Sequence, residues 1–188
     1  PAAATAGSCA TSYDGEVQVV SGHAVNAAAR QLDTLRALGV EVRRAGPPGR
    51  VDLVIDAMVG YSLQCDPRGT VASSIEWTSS QTAPVLSLDV PSGFNASDGT
   101  LRTPHVTAEA TLTLAAPKRG LDLCGAAGEI YVGDISVPRR VYERIAGQPA
   151  PVFGADWVVR AVVDDVGPTE SESGSDHARA RTASSMPR

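Results

Sequence analysis

The sequence predicts an α/β fold: a three-layer, Rossmann-like, doubly wound and mostly parallel sheet with helices on both faces. Three observations predict it. Apolar runs of strand length recur along the chain, amphipathic helical stretches lie between them, and turns rich in Gly and Pro divide the two kinds of segment. Strands alternating with helices pair in parallel through right-handed crossovers. At 188 residues, 43% hydrophobic and 20% charged, the chain has material for one good core and not for two full domains.

The elements follow in order. Residues 1–15 open with PAAATAGSCATS, small and polar without periodicity, and read as a disordered or foreign lead-in. Glu16 to Val20 is a short strand candidate. A helix follows in which Val25, Ala28, Leu32, Leu35 and Leu38 recur at spacings of three and four, with Gly39 as its C-terminal stop. After AGPPGR, the run Val51 to Val59 is apolar but for its carboxylates, the pattern of a strand buried on both faces. Thr70 to Ser80 is a helix with Val71 and Ile75 one turn apart. Ala83 to Val90, Ala110 to Ala115 and Glu129 to Val137 supply three more strands. Ala150 to Val163 adds a terminal strand or helix through Phe153, Trp157 and Val162, and the domain closes there, spanning 16–163. Residues 164–188 turn to Asp, Glu, Ser, Gly and Arg, which predicts a disordered tail.

Composition excludes several function classes. A net charge of −5 and a pI near 5.1 lack the concentrated basic face that nucleic acid or an anionic membrane requires. Every apolar run falls short of the roughly 20 residues that span a bilayer, and no signal pattern opens the chain, so a cytoplasmic protein is expected. Cys9, Cys65 and Cys124 have neither zinc-ligand spacing nor an even number for full pairing, which favours reduced thiols. His23, His105 and His177 read as exposed loop residues, and Trp77 and Trp157 as packing residues. The chain begins at Pro1, as a fragment or a processed product does.

Ligands of open parallel sheets bind outside the carboxyl ends of the strands, so residues ending each run carry the weight. Asp56 and Asp89 occupy corresponding places on successive strands. Each has a plain reading, a helix cap or a bond to a loop amide, but two such carboxylates point to a shared site, because burying an unpartnered charge costs several kcal/mol. Gly60 to Asp66 leads through Pro67, Arg68 and Gly69 into a helix N-terminus, where backbone amides hold anions. Ser92, in the turn after Asp89, offers an oxygen that with Asp56 suits a hard cation. Lys118 projects at the same edge, toward a phosphate or an aspartate, or simply into solvent.

The stretches AARQLDTLRALGVEV, DLVIDAMVGYSLQCDPRG, APVLSLDVPSGFNASDG, TLTLAAPKRGLDL, AGEIYVGDISVP, VYERIAG and PVFGADWVV, running from Glu16 to Val159, together resemble the YjeF N-terminal domain family of NAD(P)H-hydrate epimerases. The resemblance implies interconversion of the R and S forms of NADHX and NADPHX, the hydrated nicotinamide cofactors, in metabolite repair beside an NAD(P)HX dehydratase, and it is compatible with a homodimer. It implies that Gly60, Tyr61, Ser62, Leu63, Gln64, Cys65, Asp66 and Asp89 contact the hydrated cofactor. It further implies that Asp56 and Ser92 hold one potassium ion per subunit, and that Asp89, supported by Lys118, acts as general acid and base. Two departures stand out. Nothing like the family's GNNGGDG loop precedes Asp56, and SGHAVNAAA is no substitute, so the domain reads as N-terminally truncated, without the loop that in the family wraps the cofactor phosphates and supplies one ion ligand. Cys65 replaces a usual Gly, which matters if that position needs a positive φ. The alternative reading is a noncatalytic nucleotide-binding or scaffold protein that keeps the fold.

Overall fold

A computed structural model describes residues 18–20, 27–43, 51–60, 63–145, 151 and 153–161. Expectations for residues 1–15 and 164–188, and for Tyr61, Ser62, Cys9, His23 and His177, lie outside the described residues.

Strand β1 (Gln18–Val20), helix α1 (Ala27–Ala37) and strand β2 (Glu41–Arg43) form a βαβ unit whose two strands pair in parallel, Gln18 with Glu41 and Val20 with Arg43. Leu32 and Leu35 are the buried stripe of α1. Gly39 ends it as expected: at φ 77° it donates to Arg36, and Val40 donates to Leu35, satisfying carbonyls that the helix leaves open. Leu38 was expected on the buried stripe but is 53% exposed, because it lies in this terminating turn, past the last helical residue.

The main sheet has the order β3-β4-β7-β8-β9, from β3 (Val54–Asp56), β4 (Val85–Leu88), β7 (Ala110–Leu114), β8 (Glu129–Gly133) and β9 (Val158–Arg160). The first four run parallel, and β9 closes the edge antiparallel to β8. Between β4 and β7 lies a small antiparallel hairpin, β5 (Phe94–Asn95) with β6 (Thr100–Leu101). Helix α2 (Gly69–Ser80) crosses from β3 to β4, and α3 (Arg139–Ile145) follows β8. The strand β2, the hairpin and α3 are elements that periodicity alone did not mark, since each is short. β9 resolves the open choice for the last segment in favour of a strand.

Alternation sorts the side chains. Val54 and Asp56, Val85 and Ser87, Thr111 and Thr113, Ile130 and Val132, and Val159 share one face through the strand register, and all are buried. Ile75 of α2 packs there with Val54, Val85, Val106 and Ala108, with Val71 half-buried beside them. A second cluster, Val90, Phe94, Leu121, Cys124, Ala126, Ala127 and Ile130, extends the core under the loops. On the opposite face Leu53 and Ile55 are 52% and 40% exposed, so β3 buries one face and not the two its apolar run suggested.

Every strand of the parallel set is shorter than its apolar run, for a common reason. After β3, the amides of Met58 and Val59 bond to the side chains of Asp56 and Ser92, not to a neighbouring strand. After β4, Asp89 turns the chain at φ 72°; after β7, Ala115 does so at φ 67°; beyond β8, Ser136 sits at φ 62°. Left-handed conformations at residues with a Cβ cost about 1–2 kcal/mol each and persist only where surrounding bonds impose them.

Trp77 is partly buried against the α2 core, its indole N–H enclosed without a partner among the described residues. Trp157, expected to pack, is instead 74% exposed at the sheet edge. Cys65 is exposed and Cys124 buried, both as free thiols.

Candidate functional site

Asp56 closes β3, and its carboxylate is 1% exposed. Oδ2 accepts from the Ser87 hydroxyl at 2.9 Å and from the Ser92 amide at 2.8 Å. Oδ1 accepts from the Ser92 hydroxyl at 2.6 Å and from the Met58 amide at 3.3 Å. Ser92 Oγ in turn accepts from the Val59 amide at 3.0 Å. The aspartate therefore stitches three pieces together: the end of β3, the middle of β4 and the turn that follows β4. Four donors match the roughly four lone-pair positions of a carboxylate, which compensates for its desolvation. The plain reading, a bond to loop amides, describes this residue well.

This arrangement bears on the expected potassium ion. Both Asp56 oxygens accept from N–H and O–H donors, while the Ser92 hydroxyl gives its proton to Asp56, accepts from the Val59 amide and keeps a second lone pair. An ion bridging Asp56 Oδ1 and Ser92 Oγ would replace the 2.6 Å hydrogen bond between them. Among the described residues no cluster of three or more His, Cys, Asp or Glu is placed to hold a metal.

Asp89 is not at the position equivalent to Asp56. In the β3–β4 register Asp56 faces Ser87, so Asp89 lies two residues further on, where the left-handed turn points its side chain along the strand ends. Its amide donates to Leu112 at 2.8 Å. Its Oδ1 pairs with the Lys118 ammonium and accepts from the Leu114 amide at 3.4 Å, while Lys118 also donates to the Leu114 carbonyl at 2.8 Å. Oδ2 lies where a methyl group on Gly60 would meet it at 3.6 Å, and accepts no hydrogen bond among the described residues. Among the described residues one oxygen is thus held, and the other lies toward Gly60 without a hydrogen-bond partner. Side-chain exposures of 20% and 21% place Asp89 and Lys118 at the rim of the sheet, reachable from solvent.

The turn between the two aspartates admits little variation. Gly93 has φ 103°, and a Cβ there would stand 2.5 Å from His105 Cβ and 2.7 Å from its Cα. Val106 donates to Ser92 O and Arg102 to Gly93 O, so the turn lies against the hairpin's return. His105, expected as an exposed loop residue, is half-buried by this contact, its Nδ1 3.0 Å from Arg102 O.

Of the loop expected to contact the hydrated cofactor, Leu63 is half-buried and Gln64, Cys65 and Asp66 are exposed. Asp66 Oδ1 accepts from the Thr103 amide at 3.3 Å, tying the loop to the segment after β6. Cys65 is not at positive φ, so the replacement of Gly needs no special backbone there. The structure thus gathers Asp56, Ser92, Gly60, Asp89 and Lys118 at one end of the parallel strands. Ser87 was not anticipated; its only sequence signal is a lone hydroxyl in the apolar run VLSL. A cavity of about 380 Å³ lined by Asp134, Tyr142 and Phe153, among others, lies beyond β8 and includes none of the expected substrate residues.

A family model described as YjeF-related protein N-terminus matches residues 2–120. Over 117 residues the chain is 44% identical to an NAD(P)H-hydrate epimerase of Dehalogenimonas lykanthroporepellens, covering 61% of this chain and 47% of that one. It is 34% identical over 110 residues to an NAD(P)H-hydrate epimerase of Truepera radiovictrix, 58% of this chain and 50% of the relative. It is 38% identical over 118 residues to the bifunctional NAD(P)H-hydrate repair enzyme Nnr of Salinibacter ruber, 61% of this chain and 22% of the relative. The chain spans about half the length of the curated epimerases it matches, and less of the bifunctional enzyme. The fold resembles the crystal structure of yeast ynu0, YNL200c, with a TM-score of 0.68 at 19% identity, covering 84% of this chain and 70% of the yeast one. The match over most of the chain, on the mostly parallel sheet described above, establishes that this protein belongs to the family of YjeF-related protein N-termini.

Proposed function

We propose that this chain epimerises hydrated nicotinamide cofactors, interconverting the R and S forms of NADHX and NADPHX ahead of a stereospecific dehydratase. The observation that carries the proposal is the asymmetry of Asp89. One oxygen is fixed by an ammonium and a backbone amide, and the other faces the Gly60 loop without a partner among the described residues. Relatives named as NAD(P)H-hydrate epimerases support the substrate class.

A carboxyl group so held serves the chemistry in both directions. Its acid form gives a proton to the hydroxyl on the hydrated ring carbon, which departs as water while the ring nitrogen's lone pair supports the positive charge left behind. Water then adds to the opposite face, and the carboxylate takes up the released proton. Such a group contributes about 10²–10⁴-fold when correctly placed. Lys118 keeps the held oxygen in register, and Gly60, without a side chain, allows the ring to approach the other. Asp56 and Ser92 maintain the turn that presents Asp89. No described helix is long and apolar enough to cross a membrane.

Mixed NADHX epimers supplied with a stereospecific dehydratase test the reading: added chain should let the unreactive epimer be consumed well above its spontaneous rate. Asp89→Asn should return the rate to that background with the thermal midpoint preserved. Full turnover by the Asn variant removes Asp89 from the mechanism. Tight binding of the hydrated cofactor with no acceleration by the unaltered chain replaces the enzyme with a nucleotide-binding protein.

A further inference from the structure

Lys118 is the one lysine among the 16 basic Lys and Arg residues of the chain, and it is the residue that holds Asp89. What holds Lys118 is the short turn at the end of β7. Its ammonium bonds to the Leu114 carbonyl, and the Leu114 amide bonds to Asp89, so a single residue serves both members of the pair. Ala115, immediately next, adopts φ 67° without being glycine. That conformation needs external support. Two bonds from outside the turn supply it: the Ala115 amide donates to Gly133 O at 3.0 Å, and the Ala115 carbonyl accepts from the Tyr142 hydroxyl at 3.0 Å. Tyr142 is 9% exposed on α3, remote in sequence from every residue of the site, and its phenol is pushed above its usual range by burial and then by Asp134.

We infer that Tyr142 is a positioning residue for the Asp89–Lys118 pair: its hydroxyl pins Ala115 in the left-handed turn, and the turn sets the Leu114 carbonyl and amide between which the pair is suspended. The inference rests on the proposed epimerase reading for its catalytic meaning, but the positioning itself is a statement about Lys118. Without the hydroxyl, Ala115 relaxes toward the ordinary backbone regions and carries the Leu114 carbonyl away from the ammonium. Tyr131 is the contrasting tyrosine, since its hydroxyl donates to the exposed Glu129 and touches nothing in the turn.

The sole lysine makes the test direct. Reductive methylation of the full chain, followed by peptide mass spectrometry, reads Lys118 separately from the N-terminal amine. Tyr142→Phe should raise the Lys118 methylation rate about 2- to 10-fold, the range that one net hydrogen bond carries. Tyr131→Phe should leave it unchanged. An unaltered rate in Tyr142→Phe overturns the inference whether or not the chain is an epimerase. In the epimerase assay, Tyr142→Phe should lower kcat by a similar factor with little change in KM. That loss should vanish in a Lys118→Met background, because the tyrosine acts through the lysine. A loss that instead multiplies with that of Lys118→Met shows a general structural role and rejects the inference. If the unaltered chain accelerates nothing, the epimerase reading falls, and the methylation rates alone decide the role of Tyr142.

Discussion

Removing the Asp56 side chain should cost more stability than any other single change at the strand ends, and the cost can be worked from its four donors. Two are backbone amides, Ser92 and Met58, which cannot turn to find other partners. The Ser92 hydroxyl, which gives its proton to Asp56, has the Val59 carbonyl 3.5 Å away to turn to, whereas the Ser87 hydroxyl loses the one partner it has among the described residues. A stranded buried donor costs about 1–3 kcal/mol; with the long Met58 bond at the low end, Asp56→Ala should lose about 3–5 kcal/mol. For a domain of this size that corresponds to a fall in Tm of about 6–20 °C. Asp56→Asn is the graded control. Its amide oxygen still serves one backbone amide, its nitrogen then faces the other, and both hydroxyls reorient, so the loss should be about 1–2 kcal/mol. Thermal and urea unfolding followed by circular dichroism measure both. An Ala variant melting within about 2 °C of the parent, or an Asn variant as damaged as Ala, would refute the account of Asp56 as a saturated clamp.

Gly93→Ala should destabilise by about 2–5 kcal/mol, since the new methyl group meets His105 at 2.5 Å on a strained backbone. Gly154→Ala, also at positive φ but with nothing within 4 Å, should cost only about 1–2 kcal/mol; equal losses in melting experiments would discount the steric part. Iodoacetamide at neutral pH should modify exposed Cys65 readily and spare Cys124, whose thiol burial holds in its neutral form. Peptide mapping that finds Cys124 labelled first in the folded chain would contradict its place in the core. At the hairpin turn, bonds from the Thr100 hydroxyl and amide, with Arg102 nearby, hold Asp98 below the usual carboxylate range. Its support is therefore complete above about pH 3.9 and is lost as pH falls further through the depressed value. Exchange of the Thr100 amide should accelerate across that acid window and lose this pH dependence in Asp98→Asn. An identical acid profile in the variant would clear Asp98 of any role.

Much of the architecture is legible in the residues because it depends on local periodicity. The spacing of Leu32 and Leu35, the stop at Gly39, the pair Val71 and Ile75, and the apolar cores of β3, β4, β7 and β8 each follow from which side chains must leave water. The motif DVPSG and the run containing Asp56 identify the family from order and spacing alone. Where those strands end is not a local property. Apolar residues continue beyond β3 and β4, yet pairing stops because the Met58 and Val59 amides are claimed by the side chains of Asp56 and Ser92, and because Asp89 and Ala115 turn left-handed under bonds from distant segments.

The difference between the two aspartates has the same origin. In the sequence both are carboxylates at the ends of apolar runs. Only the β3–β4 register, which sets Asp56 opposite Ser87 and brings Ser92 back onto it, saturates one of them, while the turn leaves an oxygen of Asp89 without a partner among the described residues and draws Lys118 to the other. Ser87 and Tyr142 carry no chemical signature in one dimension. A hydroxyl acquires its role from the partner that folding brings within about 3 Å, and hydrogen bonds fall off too steeply with distance and angle for composition or spacing to specify that partner.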